Sequence, residues 1–331
     1  MKQNLWKLIL CVAASGTVCL HAPAAGLQRA DVIADPAWLL HLDCDGLRPT
    51  VIGQYILSEM DKPAAQARLA SFQTIFGFDL RNHVHGVTLY GGSQTPADGV
   101  LMIYADFDPD HLVALAKAAK EYQGTTHNGH VIHSWIDVDS KRRPGAARRV
   151  YAAIQDHRVI LGQRQDRVAQ ALDVIDDKSP SLSAGGAFPG LGAPGNVHFI
   201  EGAARKLDAT NSAPNAAILR LSKNVQLVVG ESQKEFQGAV TLVADSDEAA
   251  GQIYSITQGL VAVMKLQSNN PDAVRLANAV VITQNGSNIQ GRLVLPAADL
   301  VAIMQAEAAR MAAARTAKPM PAPAVDTNQQ Q

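Results

Sequence analysis

"RVYAAIQDHRVILGQRQDRVAQALDVID", residues 149–176, holds the pattern on which the fold turns. Residues 148–155 (RRVYAAIQ) and 158–162 (RVILG) are short runs rich in β-branched, aromatic and aliphatic side chains, and they read as strands. Asp156 and His157 alone separate them, and a two-residue loop demands antiparallel pairing. From Asp166 the period changes. Val168, Ala171, Leu172 and Ile175 recur at helical spacing, which predicts a helix over 166–176.

The same order of elements recurs on both sides. Upstream, 84–90 (VHGVTLY) and 99–105 (GVLMIYA) read as strands. A helix over 109–122 follows, with Asp108 as N-cap and Pro109 at the first position, and then a strand over 130–137 (HVIHSWID). Downstream, 225–231 (VQLVVGE) and 236–244 (FQGAVTLVA) lead into a long helix from Ser246 to about Leu266, where Asp245 and Glu248 suit a capping box. Residues 279–284 and 287–295 form a hairpin over Asn285-Gly286, and Pro296 opens a last helix. Three strand–strand–helix units predict an internal structural repeat. The fold class expected is α+β: mostly antiparallel sheets from repeated strand–strand–helix units, with the helices packed on one face.

The ends and one internal stretch divide the chain. Residues 1–25 read as a signal peptide: Lys2 and Lys7, an apolar run from Leu8 to Leu20, and small residues for cleavage near Ala24 or Ala25. Residues 26–180 form an N-terminal α+β half and 197–312 a C-terminal one. Between them lies the Gly/Pro-rich connection 181–196. The tail 313–331 is rich in Ala, Pro and Gln and is expected to be disordered. Lys2 and Lys7 are the basic residues of 1–25, so the mature chain carries 27 basic against 30 acidic side chains. That balance offers no attraction for nucleic acid or another polyanion. Cys11 and Cys19 leave with the signal, and Cys44 alone cannot form an internal disulfide, so an ordinary core must hold the fold.

In this element order the chain resembles exported bacterial proteins of unknown function built from repeated strand–strand–helix units. The stretches that carry the resemblance are "GVLMIYADFDPDHLVALAKAAKEY", "IHSWID", "RVYAAIQDHRVILGQRQDRVAQALDVID" and "GAVTLVADSDEAAGQIYSI". They cover about half the chain and match in apolar spacing rather than in a signature motif. The resemblance implies an α+β fold and a periplasmic or secreted location. It brings no functional residue with it.

Candidate chemistry is sparse. "HNGHVIHSW" (127–135) places His127 and His130 on either side of an Asn128-Gly129 turn, facing each other on one side of the ribbon, where they could bind one transition metal such as zinc. His133 points to the other side with Val131 and Trp135. Two imidazoles fall short of the three or four protein ligands that zinc takes, so a polar hairpin tip is the simpler reading. His83 and His85 share a side with Val87 and Leu89, as buried, hydrogen-bonded histidines would. In "LLHLDCDG" (39–46), His41, Asp43 and Asp45 share a face and could serve a hydrolase. The plainer reading is a solvated face opposite a core side of Trp38, Leu40, Leu42 and an inert Cys44.

Three further motifs fail on inspection. "DFDPD" (106–110) begins like a calcium loop, but His111 and Lys117 stand where glycine and glutamate belong, so it is a helix start. "GLGAPG" (190–195) has the dinucleotide glycine pattern but leads into a strand. "KRRPGAARR" (141–149) lacks the aromatics of a nucleic-acid platform and reads as a solvated loop. The expectation is therefore a non-enzymatic binding or scaffold module of the cell envelope, with no cofactor and no transmembrane segment in the mature chain. Its partner would be another envelope protein or a glycan. A metal protein using His127 and His130, or a hydrolase near His41, Asp43 and Asp45, are the alternatives.

Overall fold

The computed structural model describes residues 26–137, 148–193, 197–205, 218 and 221–317. The signal-peptide reading, the body of the basic stretch and the last part of the tail lie outside them.

Twelve strands form one sheet, antiparallel throughout, in the order β11-β12-β10-β9-β8-β1-β2-β3-β7-β6-β5-β4. The N-terminal half supplies β1 (Trp38–Asp43), β2 (Val84–Gly91), β3 (Gly99–Ala105), β4 (Gln123–His127), β5 (His130–Asp137), β6 (Arg148–Gln155) and β7 (Arg158–Gly162). The C-terminal half supplies β8 (His198–Arg205), β9 (Ser222–Ser232), β10 (Glu235–Ala244), β11 (Val280–Asn285) and β12 (Asn288–Pro296). β1 pairs with β8, so hydrogen bonds run unbroken from one half to the other. The helices are α1 (Cys44–Leu47), α2 (Val51–Met60), α3 (Pro63–Phe76), α4 (Pro109–Ala118), α5 (Gln165–Ile175), α6 (Asp247–Lys265), α7 (Pro271–Ala279) and α8 (Ala297–Ala317).

The α+β class and the antiparallel pairing agree with the sequence reading, and strand–strand–helix recurs as β2-β3-α4, β6-β7-α5 and β9-β10-α6. The helices, expected on one face, occupy both. Val168, Ala171, Leu172 and Val174 of α5 pack on Tyr90, Met102, Ile132, Ala153 and Ile160, the residues of one sheet face. Leu112 of α4 packs on Val87 and Ile103, which belong to the other. The central strands are apolar on both sides, so each side needs its own cover.

Local chemistry explains the boundaries. Asp108 accepts from the backbone N–H of Asp110 (2.9 Å) and His111 (3.3 Å) and caps α4, with Pro109 at its first position. The cap of α6 is Ser246, one residue beyond the expected Asp245; its hydroxyl accepts from Ala249 N–H at 3.2 Å. Asn128 and Gly129 both have positive φ, as the β4–β5 turn requires. The last hairpin turns at Gly286-Ser287, one residue later than expected, because Asn285 pairs with Asn288. The last helix begins at Ala297, since Pro296 still belongs to β12, and it continues past 312 to Ala317. Its alanine-rich sequence favours helix there over the disorder expected from 313.

The described part of the Gly/Pro-rich connection, residues 181–193, is packed, not loose. Leu182, Phe188 and Leu191 are buried in the core beneath α5. Arg29 holds this stretch by donating to four carbonyls, those of Leu182, Ala187, Phe188 and Leu191, at 3.0–3.1 Å. This cover buries the face of β1 that the sequence assigns to solvent. Leu39 and His41 are 2% and 1% exposed, whereas Leu40 on the opposite face is 45% exposed. The pleat alternates as expected; which side is the core is reversed.

Candidate functional site

An apolar cavity of about 480 Å³ lies between the sheet and the α3–α4 pair. Its floor is built by Trp135 of β5, Val150, Ala152 and Ile154 of β6, Val159 and Leu161 of β7, and Ile103 and Ala105 of β3. These residues share one face because the register pairs Trp135 with Val150, Ala152 with Leu161, and Ile103 with Val159. The roof is Leu112, Leu115 and Ala116 of α4 and Ala119 just past its end, with Phe72 and Phe76 of α3 and the loop residues Phe78 and Phe107.

The helical spacing of Leu112, Leu115 and Ala116 puts them on one stripe of α4, and Phe72 and Phe76 meet four residues apart. Phe72 and Phe76 stack with centroids 4.4 Å apart, and Phe72 meets Phe78 edge-on at 5.2 Å. The space exists because Ala105, Ala116, Ala119 and Ala152 stand where larger side chains would close it. α3 itself has no buried residue. It is held at its C-terminal end, where Gly77 takes φ +80° and His111 Nε2 lies 2.9 Å from the Ile75 carbonyl oxygen.

No charged side chain lines this cavity, so it has nothing with which to perform acid–base or nucleophilic chemistry. It can take apolar surface out of water. A shallower recess of about 270 Å³ adjoins it, sharing Val150 and Leu161 and adding Trp38, Leu89 and Leu101.

The histidines and carboxylates singled out from sequence lie elsewhere and do not converge. His127 and His130 are directly paired across β4–β5, as expected, and each is engaged by α5. His127 Nε2 lies 2.8 Å from Asp173 Oδ1, and His130 Nε2 lies 3.1 Å from Asp176. Burial alone would raise the Asp173 carboxyl, but hydrogen bonds from His127 and Asn128 take it below its ordinary range. Lys178 first, then His130, does the same for Asp176. Among the described residues no group of three or more His, Cys, Asp or Glu is placed to share a metal ion.

His133 lies on the cavity face, buried, with Nδ1 3.1 Å from the Tyr122 hydroxyl. Burial first, and Lys117 second, lower its pKa. His85 is largely buried on the side of Val87 and Leu89 and is hydrogen-bonded, as expected, with its partners Asp45 (2.9 Å) and Asp106 (3.0 Å); His83 is exposed.

The possible hydrolase group comes apart. His41 is buried with Nδ1 2.9 Å from Thr88 Oγ1, Asp43 caps α1 through Gly46 N–H, and Asp45 pairs with Arg48 and His85. Cys44 is half-buried beside Phe72, Phe78 and Leu112, and burial pushes its thiol pKa up, which keeps it a weak nucleophile. "DFDPD" is a helix start, and residues 190–193 of "GLGAPG" lie in the packed connection.

The cavity is what the sequence reading missed. Its signal was the alanine-rich stripe of α4 facing strands that are apolar on both sides, together with four phenylalanines between 72 and 107.

No family model matches the chain, and no curated protein matches it. Solved structures align with the chain at low identity and low TM-score. Crystal form III of TP0453 aligns over 86% of this chain and 100% of that one, at 10% identity and a TM-score of 0.46. Crystal form IV of TP0453 aligns over 86% and 97%, at 9% identity and a TM-score of 0.42.

Proposed function

We propose that the chain is a non-enzymatic binding module of the bacterial cell envelope, periplasmic or secreted after removal of residues 1–25, and that its ligand is apolar where it meets the protein. The observation that carries this reading is the cavity of about 480 Å³ with no charged group in its lining. Its volume falls within the ~300–1,000 Å³ of small-molecule sites. The scattering of His41, Asp43 and Asp45 into separate structural roles weighs against the hydrolase alternative. The export signal at residues 1–25 supports the envelope location. No helix among the described residues is long and apolar enough to cross a membrane.

Metal binding at His127 and His130 is a second reading, favoured by their direct pairing on one side of the hairpin tip. The test of the leading reading is titration of the full mature chain with N-phenylnaphthylamine, whose fluorescence rises in apolar surroundings. Saturable binding, weakened by Ala152→Leu in the cavity floor, is expected. Binding that is absent, or indifferent to Ala152→Leu, would overturn it.

A further inference from the structure

Resting on that reading of the cavity, we infer that its ligand is a single-chain anionic amphiphile, with the alkyl chain in the apolar trough and the anionic headgroup at the Lys117, Lys120 and Arg148 end.

Cavity and recess lie side by side on one face of the sheet. Their walls reach from Trp135 on β5 across β6, β7 and β3 to Leu89 on β2 and Trp38 on β1, because cavity and recess share Val150 and Leu161. Six adjacent strands span roughly 24 Å at the usual inter-strand spacing. A compact ring system would leave most of that length empty, whereas one alkyl chain follows it.

The two ends of α4 differ in charge. Asp106, Asp108 and Asp110 stand at its N-terminus, beside the Phe78–Phe107 end of the cavity. At the other end Lys120 O accepts from Ile136 N–H at 3.0 Å, which sets the turn just past α4 against β5 next to Trp135. Lys117 and Lys120 are exposed there, and Lys117 is close enough to act on His133, on the cavity face. Arg148 is two residues from the cavity-lining Val150 and so points to that same side. The acids at this end are Asp137, opposite Arg148, and Glu121, whose carboxylate lies 3.8 Å from Lys120 and 3.7 Å from Arg149. Lys117, Lys120 and Arg148 therefore stand against two carboxylates at one end, and at the other stand Asp108, Asp110 and Asp106, the last paired with His85 and His157. An anionic head is repelled from the α4 N-terminus and attracted to its C-terminus, which orients the chain.

The experiment is displacement of N-phenylnaphthylamine from the full mature chain by dodecanoate, dodecyl phosphate, dodecanol and dodecylammonium below their aggregation concentrations, for wild type and a Lys117→Glu/Lys120→Glu variant. The expected result is that the two anions displace the probe best in the wild type and that the variant weakens both by about fivefold, the size two exposed ion pairs carry, with dodecanol unchanged. The advantage should shrink in high salt. A preference between the two anions assigns the source, a fatty acid for dodecanoate or a phosphate-bearing lipid for dodecyl phosphate, and either supports the inference. Equal displacement by anions and alcohol, or a variant that weakens all four alike, would overturn the headgroup assignment while leaving the apolar site standing. Failure of the probe itself to bind would overturn both.

Discussion

Ala152 and Ala153 are consecutive in β6 and each is 1% exposed, yet leucine at the two positions should change stability in opposite directions. Ala152 lines the cavity; Ala153 packs in the core beneath α5. At Ala152 the three added carbons enter existing space, and burial at about 0.8 kcal/mol per methylene gives at most roughly 2.4 kcal/mol. Freezing the leucine rotamer costs about 0.5–1 kcal/mol, leaving a gain near 1.5 kcal/mol. For a chain of this size that raises the melting temperature by about 3 °C. At Ala153 there is no space, and overpacking costs about 1–3 kcal/mol. Urea unfolding followed by circular dichroism measures both changes, with an unchanged slope as the check that the transition stays comparable. A loss of stability at Ala152 similar to that at Ala153 would show that the α4 face is closed, and would remove the physical basis of the proposed binding site.

Three further outcomes follow from the side-chain environments. Cys44 should react slowly with a thiol reagent at pH 8 in the folded chain and rapidly in urea, because burial raises its pKa; fast reaction without denaturant would contradict its packing. Treatment with a chelator should leave the melting temperature unchanged, since both hairpin histidines bond to aspartates; a fall that zinc reverses would instead favour the metal reading. Stability should decline in two stages on acidification. His133 is lowered by burial and then by Lys117, so its contribution is whole above about pH 6.5 and is lost as pH falls through its folded value. Asp98, held down first by Ser93 and then by Arg167 and Arg164, and with it Asp173 and Asp176, acts only below about pH 4. A His133→Gln variant that keeps the upper stage would refute the assignment.

Much of the architecture was legible because its determinants are local. The β6–β7 turn at Asp156-His157, the Asn128-Gly129 turn and the Asp108-Pro109 start of α4 each follow from backbone preferences within a few residues. α2 and α3 were not read, although Thr50 caps one and Pro63 opens the other. α3 buries none of its residues, and without a buried stripe there is little periodicity to detect.

The sequence by itself determined the class of elements, their order, their antiparallel pairing and the facing of His127 and His130. Side-chain period and turn chemistry act over only a few residues, so they need no knowledge of distant segments. Tertiary structure alone decided which face of each strand is inside, that β1 and β8 join the halves into one sheet, and that four alanines and four phenylalanines surround a space. Burial depends on what covers a face, and here the cover comes from residues far away in the chain. Arg29 holding the 182–191 stretch over β1, and α4 standing off β6, are arrangements that no local pattern records.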